Sequence, residues 1–304
     1  MKNELIFDIE KELDGTKIRE YLRKKEFSTR FIRSAAGDKR IRVNGKIAKL
    51  SYVLREADKL QIQVSKVEDQ NIEPEKIDIE VVYEDEDVIV INKPPGIVVH
   101  PTKSYPSGTL ANGILYYFRE KGENCIVRLV SRLDMDTSGL ILVAKNQFSH
   151  MSLARDMQSE TFKKGYLAIT HNNSENHGFK ESSGTIDLPI YRPGDGEIIR
   201  VIDDRGQRSI THYEVLETYE EGQLLKLMLE TGRTHQIRVH LSYLGHPIYG
   251  DALYGKEEQQ YIKRQALHAY MLHFPHPRTR EVVKLETDLP QDMKVLITNL
   301  KDIK

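Results

Sequence analysis

Apolar side chains near the start of the chain keep the spacing of short helices. Residues 18–22 carry them at helical intervals, and residues 31–35 do so again after Ser28-Thr29, a helix-start signal, with Gly37 as a typical stop. Residues 41–47 then alternate apolar and basic positions around Asn44-Gly45, a strong hairpin-turn signal. The pattern predicts two short helices followed by a small hairpin.

The rest of the chain is dominated by short apolar runs that are typical of strands. Two stretches have helical spacing instead, one near 109–120 and one near 234–244, where Thr234 is the expected N-cap and Gly245 the stop. The predicted strands are DVIVINK (87–93), LILVAK (140–145), KGYLAIT (164–170), THYEVLET (211–218) and LLKLMLE (224–230). Many strands with few helices between them predict a mixed, largely antiparallel α+β sheet rather than alternating βαβ units.

The chain is long enough for two domains, at 304 residues. The stretch KVEDQNIEPEKI, residues 66–77, has no hydrophobic periodicity, many charges and a proline, which is typical of a linker. We therefore predict a small N-terminal domain at 1–66, a linker at 67–77 and a second domain at 78–304.

Charge is distributed unevenly, although the formal net charge is only −1. Gly15 to Lys49 contains twelve Lys and Arg against three Asp and Glu, whereas Val67 to Asp87 contains ten acidic residues against one lysine. A basic block this dense indicates a nucleic-acid-binding module. A solvated helix face with i,i+4 ion pairs has the same composition, so composition alone leaves both interpretations open.

Several classes of protein are disfavoured by composition. The first twenty residues carry charges throughout, and no apolar run approaches the roughly 20 residues that a membrane span needs, so we predict a cytoplasmic protein with no membrane partner. Cys125 is the only cysteine, which excludes an intramolecular disulfide and a multi-cysteine zinc site. No glycine-rich phosphate loop follows a strand, so nucleotide cofactors have no support.

Charged residues crowd the stretch SRLDMDTSG, residues 131–139, directly before the apolar run LILVAK. For Asp136 we favour a turn-capping role, in which its side chain accepts hydrogen bonds from the amides of residues 137 and 138. Asp134 is different, because a partly buried loop carboxylate needs a purpose and a positive partner. Asp134 is thus the first candidate for chemistry.

A candidate partner lies in ETGRTHQIRVHLSYLGHPIYGDALYG, residues 230–255. Arg238 lies in the first turns of the predicted helix, and its planar fork could hold a carboxylate ionised and oriented. His235 is three residues earlier and shares that face of the helix. His235 and His240 are five apart, the wrong spacing for a helical metal site, so we predict backbone hydrogen bonds for them and no metal.

Two further stretches are ambiguous when taken alone. INKPPGIVVHP, residues 91–101, ends a strand with Lys93 and a Pro-Pro-Gly turn, which is typical of a rigid loop. Tyr166 lies on the predicted strand KGYLAIT, where a tyrosine is usually a core residue. A tyrosine that faced the Asp134 loop could instead stack on a base.

Together these stretches resemble the RluA family of pseudouridine synthases over about residues 78–290. The resemblance rests on NKPPGIVVHP with SGTLANGIL, then SRLDMDTSGLILVAKN with KKGYLAIT, then GRTHQIRVHLSYLGHPIYGD, in family order. One departure is Ser131, where the family usually has His, and it puts in doubt a polar contact beside the RNA. Residues 11–65, including RIRVNGK, resemble the S4 RNA-binding domain, a small α/β module.

The resemblance implies an isomerase that breaks the C1′–N1 bond of a uridine in RNA, rotates the uracil and rejoins C1′ to C5. It makes Asp134 the essential carboxylate, which either attacks C1′ or promotes elimination at the ribose, and Arg238 its partner. It makes Tyr166 the catalytic residue that packs on the base and could help remove the C5 proton. It makes Arg132 the residue that takes the vacated position of the flipped base. The remaining residues implied to bind substrate are Ile237, on the floor of the uracil pocket, His235 and Arg233. Those implied to bind RNA phosphates in the S4-like part are Arg30, Arg33, Lys39 and Arg40.

The implied partner is structured RNA, with large-subunit ribosomal RNA favoured and transfer RNA as the alternative. The implied protein needs no cofactor, and we expect a monomer. A non-catalytic RNA-binding factor of the same fold is a rival interpretation, although it predicts the loss of Asp134, Tyr166 or Arg238. A glycoside hydrolase that used Asp134 with Asp136 is disfavoured, because carboxylates two residues apart in a turn do not flank a sugar.

Overall fold

The N-terminal part of the molecule is a four-stranded sheet with two helices. The computed structural model describes residues 4–64, 70–172, 178–255 and 261–303. The elements of this part are β1 (Glu4–Asp8), α1 (Ile18–Lys24), α2 (Thr29–Gly37), β2 (Ile41–Val43), β3 (Lys46–Ile47) and β4 (Lys59–Gln63). The strand order is β1-β4-β2-β3, and every pair is antiparallel.

Local signals account for the two helices and the hairpin. The Ser28 side chain accepts a hydrogen bond from the Phe31 N–H (3.1 Å) and so caps α2. Asn44 and Gly45 both have positive φ, 50° and 79°, as a tight turn between β2 and β3 requires. The predicted helices and hairpin are therefore confirmed, whereas β1 and β4 were not predicted.

The larger part is built on one ten-stranded sheet and a separate two-stranded pair. Its strands are β5 (Glu80–Glu84), β6 (Val88–Lys93), β7 (Arg128–Leu129), β8 (Ser138–Ala144), β9 (Lys163–His171), β10 (Ser183–Asp187), β11 (Ile190–Tyr191), β12 (Val201–Ile202), β13 (Ile210–Thr218), β14 (Gly222–Leu229), β15 (Leu267–Pro275) and β16 (Val282–Glu286). The main path runs β10-β13-β14-β9-β15-β8-β6-β5, with β16 beside β15 and β7 beside β8, while β11 pairs with β12. Of the described pairs only β15 with β8 is parallel, which confirms the predicted mixed, largely antiparallel sheet.

In the described part of the chain, four helices accompany this sheet. They are α3 (Leu110–Glu120), α4 (Gln147–Asp156), α5 (Gln236–Tyr243) and α6 (Gln291–Asp302). Ile141 and Val143 of β8 pack into the cluster that contains α3, whereas Leu140 and Leu142 pack into the cluster that contains Leu153 of α4. Strand β8 is therefore buried on both faces, and the SRLDMDTSG loop lies at its mouth.

Position 139, at the end of that loop, requires a glycine. Its φ is +112°, and a Cβ at this position would lie 2.3 Å from the Ala269 carbonyl oxygen. The close approach occurs where β8 pairs with β15, so a side chain here would separate the two strands. The loop that carries Asp134 thus enters the sheet at a fixed point.

The N-terminal part packs against α4 of the larger part. The Phe27 and Phe148 rings are 5.4 Å apart, and Arg155 pairs with Glu26 at 2.6 Å. Arg278 donates to the Glu4 carbonyl oxygen at 2.8 Å while its other nitrogens hold Asp87. The two parts are therefore joined by packing as well as by the chain.

The predicted linker is only partly described, because residues 65–69 lie outside the described ranges. Its second half is bound to α3, since the Asn112 side chain donates to the Glu73 carbonyl oxygen at 2.7 Å and the Glu75 N–H donates to the Asn112 carbonyl oxygen at 3.2 Å. The proposed domain boundaries stay a prediction. In the described part of the chain, no helix combines the length and apolarity that crossing a bilayer requires.

Candidate active site

The Asp134 loop is held in place by Lys93, which is fully buried at the end of β6. Its Nζ donates to the carbonyl oxygens of Met135 (2.7 Å), Pro94 (2.8 Å) and Ile97 (3.1 Å). Burial lowers the pKa of Lys93 to about 7, although the nearby Asp136 charge opposes this. Lys93 thus ties the Pro-Pro-Gly turn to the Asp134 loop. The sequence predicted only a rigid loop for this segment, although a lysine that ends an apolar strand is a signal of a buried cation.

The expected capping role of Asp136 is wrong. The Thr137 N–H donates to the Asp134 carbonyl oxygen (3.2 Å), so a backbone turn, rather than the Asp136 side chain, satisfies it. Asp136 contributes its own carbonyl oxygen, which accepts from Arg264 Nη1 at 3.2 Å. Arg264 in turn holds Asp292 of α6 through Nε and Nη2 at 2.7 and 2.9 Å. The loop is therefore anchored to α6 as well as to Lys93.

Arg238 lies between two aspartates. Its Nη1 donates to Asp134 Oδ2 at 3.0 Å, while Nε and Nη2 donate to the two oxygens of Asp251 at 2.7 and 2.8 Å. Burial lowers the pKa of Arg238, but the bonds and charges of Asp251 and Asp134 outweigh burial and raise it overall, so the guanidinium stays charged. The contact between Arg238 and a loop carboxylate, expected from the sequence, is present, and its role in catalysis stays a prediction.

Asp251 was missed as a site residue. It has no exposed surface, and its Oδ1 also accepts from the N–H groups of Leu253 (3.0 Å) and Tyr254 (3.1 Å). Four hydrogen bonds therefore fix this carboxylate, which fixes the Arg238 fork. The available signal was an aspartate after an apolar Pro-Ile-Tyr-Gly segment, since a buried carboxylate requires a cation.

Tyr166 and Asp134 both line a cleft of about 840 Å³. Tyr166 is 8% exposed, and its burial, followed by the charge of Asp134, raises the pKa of its hydroxyl. Ile237 belongs to the same hydrophobic cluster as Tyr166 and is 4% exposed, so it lies in the core rather than among the residues that line the cleft. The cations that line the cleft are Arg132, Lys164, Arg200 and Arg233.

A second cavity of about 510 Å³ adjoins the cleft. Its cations define what we call the arginine groove, which consists of Arg132, Arg192, Arg200, Arg205 and Arg233. Arg132, Arg200 and Arg233 line both cavities, so the positive surface is continuous with the site of Asp134. The sequence did not lead to a prediction for Arg192, Arg200 or Arg205, although the arginines in and after the segment RPGDGEIIR, residues 192–200, are a signal of this surface.

The family of this chain follows from its similarity to known proteins. Residues 87–243 match a family model described as RNA pseudouridylate synthase. The chain belongs to this family. It is an isomerase of the RluA type, as the sequence resemblance implied. Asp134, Tyr166 and Arg238 all lie inside the matched segment.

Relatives and solved structures agree with this membership. The chain is 41% identical to the uncharacterized RNA pseudouridine synthase YjbO of Bacillus subtilis, over 88% of this chain and 92% of that protein. It is 37% identical to ribosomal large subunit pseudouridine synthase D of Haemophilus influenzae, over 80% of this chain and 78% of that protein. Human RNA pseudouridylate synthase domain containing 1 matches with a TM-score of 0.57 and 28% identity, covering 76% of this chain and 98% of that one. Human RNA pseudouridylate synthase domain containing 4 matches with a TM-score of 0.58 and 26% identity, covering 73% of this chain and 93% of that one.

His235 of this pseudouridine synthase lies just before α5, and the prediction that Thr234 caps this helix is wrong. The helix begins at Gln236, and His235 occupies the cap position in the left-handed conformation (φ 58°, ψ 19°) with no side-chain cap. His235 Nδ1 is 2.8 Å from Tyr254 Oη, and Nε2 is 4.0 Å from Asp134 Oδ2. His240 bonds the Leu188 carbonyl oxygen at 3.0 Å, which confirms the backbone hydrogen bond predicted for it, whereas the His235 ring bonds the Tyr254 hydroxyl instead of backbone. Within the described ranges, no group of three or more His, Cys, Asp and Glu is placed to hold a metal.

The four cations expected to bind RNA in the N-terminal part of the synthase differ in exposure. Arg30, Arg33 and Lys39 are exposed. The Arg40 side chain is only 4% exposed, and it donates to Asp38 (3.3 Å), Gln63 O (2.9 Å) and Ser34 (3.0 Å). Its donors are used inside the N-terminal part, so the expectation that Arg40 contacts phosphate is corrected.

Proposed function

We propose that this synthase isomerises specific uridines of structured RNA, and that large-subunit ribosomal RNA is its substrate. The observation that carries the proposal is the Arg238 fork, which links a buried Asp251 to Asp134 at the edge of a cationic cleft. The ribosomal substrate is supported by relatives named for the large subunit, such as the Haemophilus protein at 37% identity.

Asp134 is the proposed carboxylate that acts at the ribose. Arg238 engages its Oδ2, and among the described residues no group bonds Oδ1, so Oδ1 is the oxygen available to substrate. As RNA displaces water, the fixed charge of Arg238 favours the ionised carboxylate. The C1′–N1 bond breaks, C1′ joins C5, the C5 proton leaves and N1 gains a proton, so the atoms balance without a cofactor.

Arg132 and Tyr166 are the proposed partners of the flipped uridine. Arg132 is exposed where the cleft meets the arginine groove, and it can occupy the position that the base leaves. Flipping costs a few kcal/mol, which contacts to phosphate and base have to offset. Tyr166 packs on the base from within the cleft that it lines with Asp134. Arg233, with the rest of the arginine groove, binds the flanking phosphates.

The N-terminal part is the proposed S4-like RNA-binding domain. Arg30, Arg33 and Lys39 are exposed. Two residues of the acidic block at 67–87 are paired inside the protein, since Glu84 accepts from Lys145 at 2.8 Å and Asp87 accepts from Arg278 at 2.8 Å, whereas Glu73, Asp78, Glu80 and Glu86 are exposed. The exposed cations of the N-terminal part are the groups proposed to neutralise RNA phosphates.

A chemical map of pseudouridine in total RNA tests the proposal. Strains that lack this gene are complemented with the wild type, with Asp134→Asn or with Asp136→Asn, a matched change in the same turn. We expect a site in large-subunit RNA that is lost on deletion and restored by the wild type and Asp136→Asn only. A lost site in transfer RNA would reassign the substrate. No changed site would favour the non-catalytic RNA-binding interpretation.

A further inference from the structure

A row of polar groups connects the loop between β11 and β12 to Asp134. The Arg200 N–H donates to Tyr254 Oη at 2.8 Å, and Tyr254 Oη is 2.8 Å from His235 Nδ1. On the other side of the same ring, His235 Nε2 is 4.0 Å from Asp134 Oδ2. Tyr254 has no role in the function proposed above.

The donors in this row fix the position of the imidazole proton. A backbone N–H can only donate, so the Tyr254 oxygen accepts from Arg200. Burial raises the pKa of Tyr254, so the phenol keeps its proton, and His235 Nδ1 is the acceptor that the described residues place beside it. Burial also lowers the pKa of His235, which favours a neutral ring with one proton. That proton is therefore on Nε2, the nitrogen that faces Asp134.

The backbone conformation of His235 indicates that its ring is held in this position by the surrounding structure. Its left-handed conformation (φ 58°) is strained for a non-glycine residue, and such strain persists only where its surroundings enforce it. The next residue provides that enforcement. Gln236 accepts from the Arg233 N–H at 3.0 Å and donates to the Ile210 carbonyl oxygen at 2.9 Å, which fixes the chain on both sides of His235.

We propose that His235 and Tyr254 are positioning residues for Asp134. His235 presents an Nε2–H to Asp134 Oδ2, the oxygen that Arg238 already holds, and Tyr254 sets the tautomer and plane of the ring. At 4.0 Å the contact is an electrostatic alignment rather than a hydrogen bond. Together the two donors direct Oδ1 toward the ribose. The inference rests on the proposed role of Asp134.

Substitutions that imitate single nitrogens of the ring test the proposal in the full-length protein. His235→Gln places an amide N–H near the position of Nε2, whereas His235→Asn reaches only the position of Nδ1. Asparagine is also well suited to the left-handed conformation, so the shorter variant is not penalised by the backbone. We expect His235→Gln to keep most of kcat and His235→Asn to lose roughly tenfold, with KM unchanged in both.

Tyr254→Phe provides a second test of the proposal, made in the wild type and in the His235→Gln variant. It should lower kcat several-fold in the wild type, because the ring loses its orienting partner. It should have no effect in the His235→Gln background, since an amide keeps its N–H whatever its neighbour. Tyr243→Phe is the matched control, because Tyr243 is 62% exposed at the end of α5.

The rates are measured as release of tritium from C5 of labelled ribosomal RNA that was prepared from a strain lacking the gene. Equal losses in His235→Gln and His235→Asn would overturn the proposal, as would a Tyr254→Phe effect that persists in the His235→Gln background. A raised KM with unchanged kcat would assign the pair to RNA binding and overturn it too. If His235→Asn melts below the wild type, the Tyr254→Phe cycle decides alone. A wild type that turns over no uridine would refute the proposed function itself.

Discussion

Replacement of Arg238 by lysine separates the geometry of this residue from its charge. The guanidinium bonds both oxygens of Asp251 and one oxygen of Asp134 simultaneously, at 2.7 to 3.0 Å. One ammonium cannot occupy both positions. Because Asp251 is fully buried, leaving it without a cation costs about 3 to 5 kcal/mol, so the substituted lysine should remain with Asp251.

The expected loss of rate follows from the bond that Asp134 loses. A hydrogen bond to a charged group contributes about 1.5 to 3 kcal/mol, which corresponds to roughly 10- to 150-fold in rate. The Asp134 side chain is 27% exposed, so water replaces part of the interaction. We therefore expect the lower end, a fall in kcat of about 10- to 30-fold.

Single-turnover isomerisation and thermal melting together check this expectation. Arg278→Lys is a matched control, because Arg278 also forks onto a buried aspartate, Asp87, at 2.8 and 3.1 Å, but far along the chain from the Asp134 loop. It should lose similar stability and keep its rate. A specific role of the Arg238 fork would be excluded if Arg238→Lys kept half of the wild-type rate. It would also be excluded if Arg278→Lys lost as much rate as Arg238→Lys.

The remaining predictions concern the support of the loop and the RNA-binding surface. Lys93→Met should destabilise the protein by at least about 2 kcal/mol, because three carbonyl oxygens lose their donor, and a chemical denaturation curve measures this. The folded pKa of Lys93, about 7, is below the ordinary 10.5, so the unfolded state binds more protons between these values. The free energy of unfolding of the wild type, relative to Lys93→Met, should therefore rise from pH 7 to 10.5, and a flat difference would contradict the shift. The double variant Arg30→Ala, Arg33→Ala should lower the slope of log RNA affinity against log salt concentration by about 0.7 to 0.9 for each phosphate that the protein no longer neutralises. An unchanged slope would show that the exposed cations of the N-terminal part are a solvated surface that does not bind RNA.

Much of the fold was predictable because its signals are local. The Ser28 cap and the Asn44-Gly45 turn act within four residues of themselves, so α2 and the hairpin follow from short stretches of sequence. Strands β1 and β4 pair across more than fifty residues, from Glu4 to Gln63, and neither is distinctive alone. Local periodicity cannot supply the long-range pairing of weakly patterned strands.

The site was predictable in part for a related reason. A loop carboxylate and an arginine on a nearby helix suggest an ion pair from charge logic, which led to Asp134 and Arg238. Whether a charged residue is buried depends on the acceptors that distant segments bring to it. Arg40 is buried because Gln63 and Ser34 offer oxygens, and Asp251 because Arg238 reaches it. The sequence alone contains no signal that Arg40 is buried, and the signal for Asp251, an aspartate after an apolar segment, does not identify its partner.

The charges of the cleft are compatible with a carboxylate that is proposed to act on polyanionic RNA. Asp134 shares its Oδ2 with Arg238, and the cleft around it is lined by Arg132, Lys164, Arg200 and Arg233. Phosphates that approach the cleft therefore meet an excess of positive charge, although Asp134, the proposed acting group, is negative. Asp251, fully buried on the far side of Arg238, stabilises that arginine without adding negative charge to the surface that RNA contacts. Oδ1 of Asp134, which no described residue bonds, is then the carboxylate oxygen that the ribose would meet in this cleft.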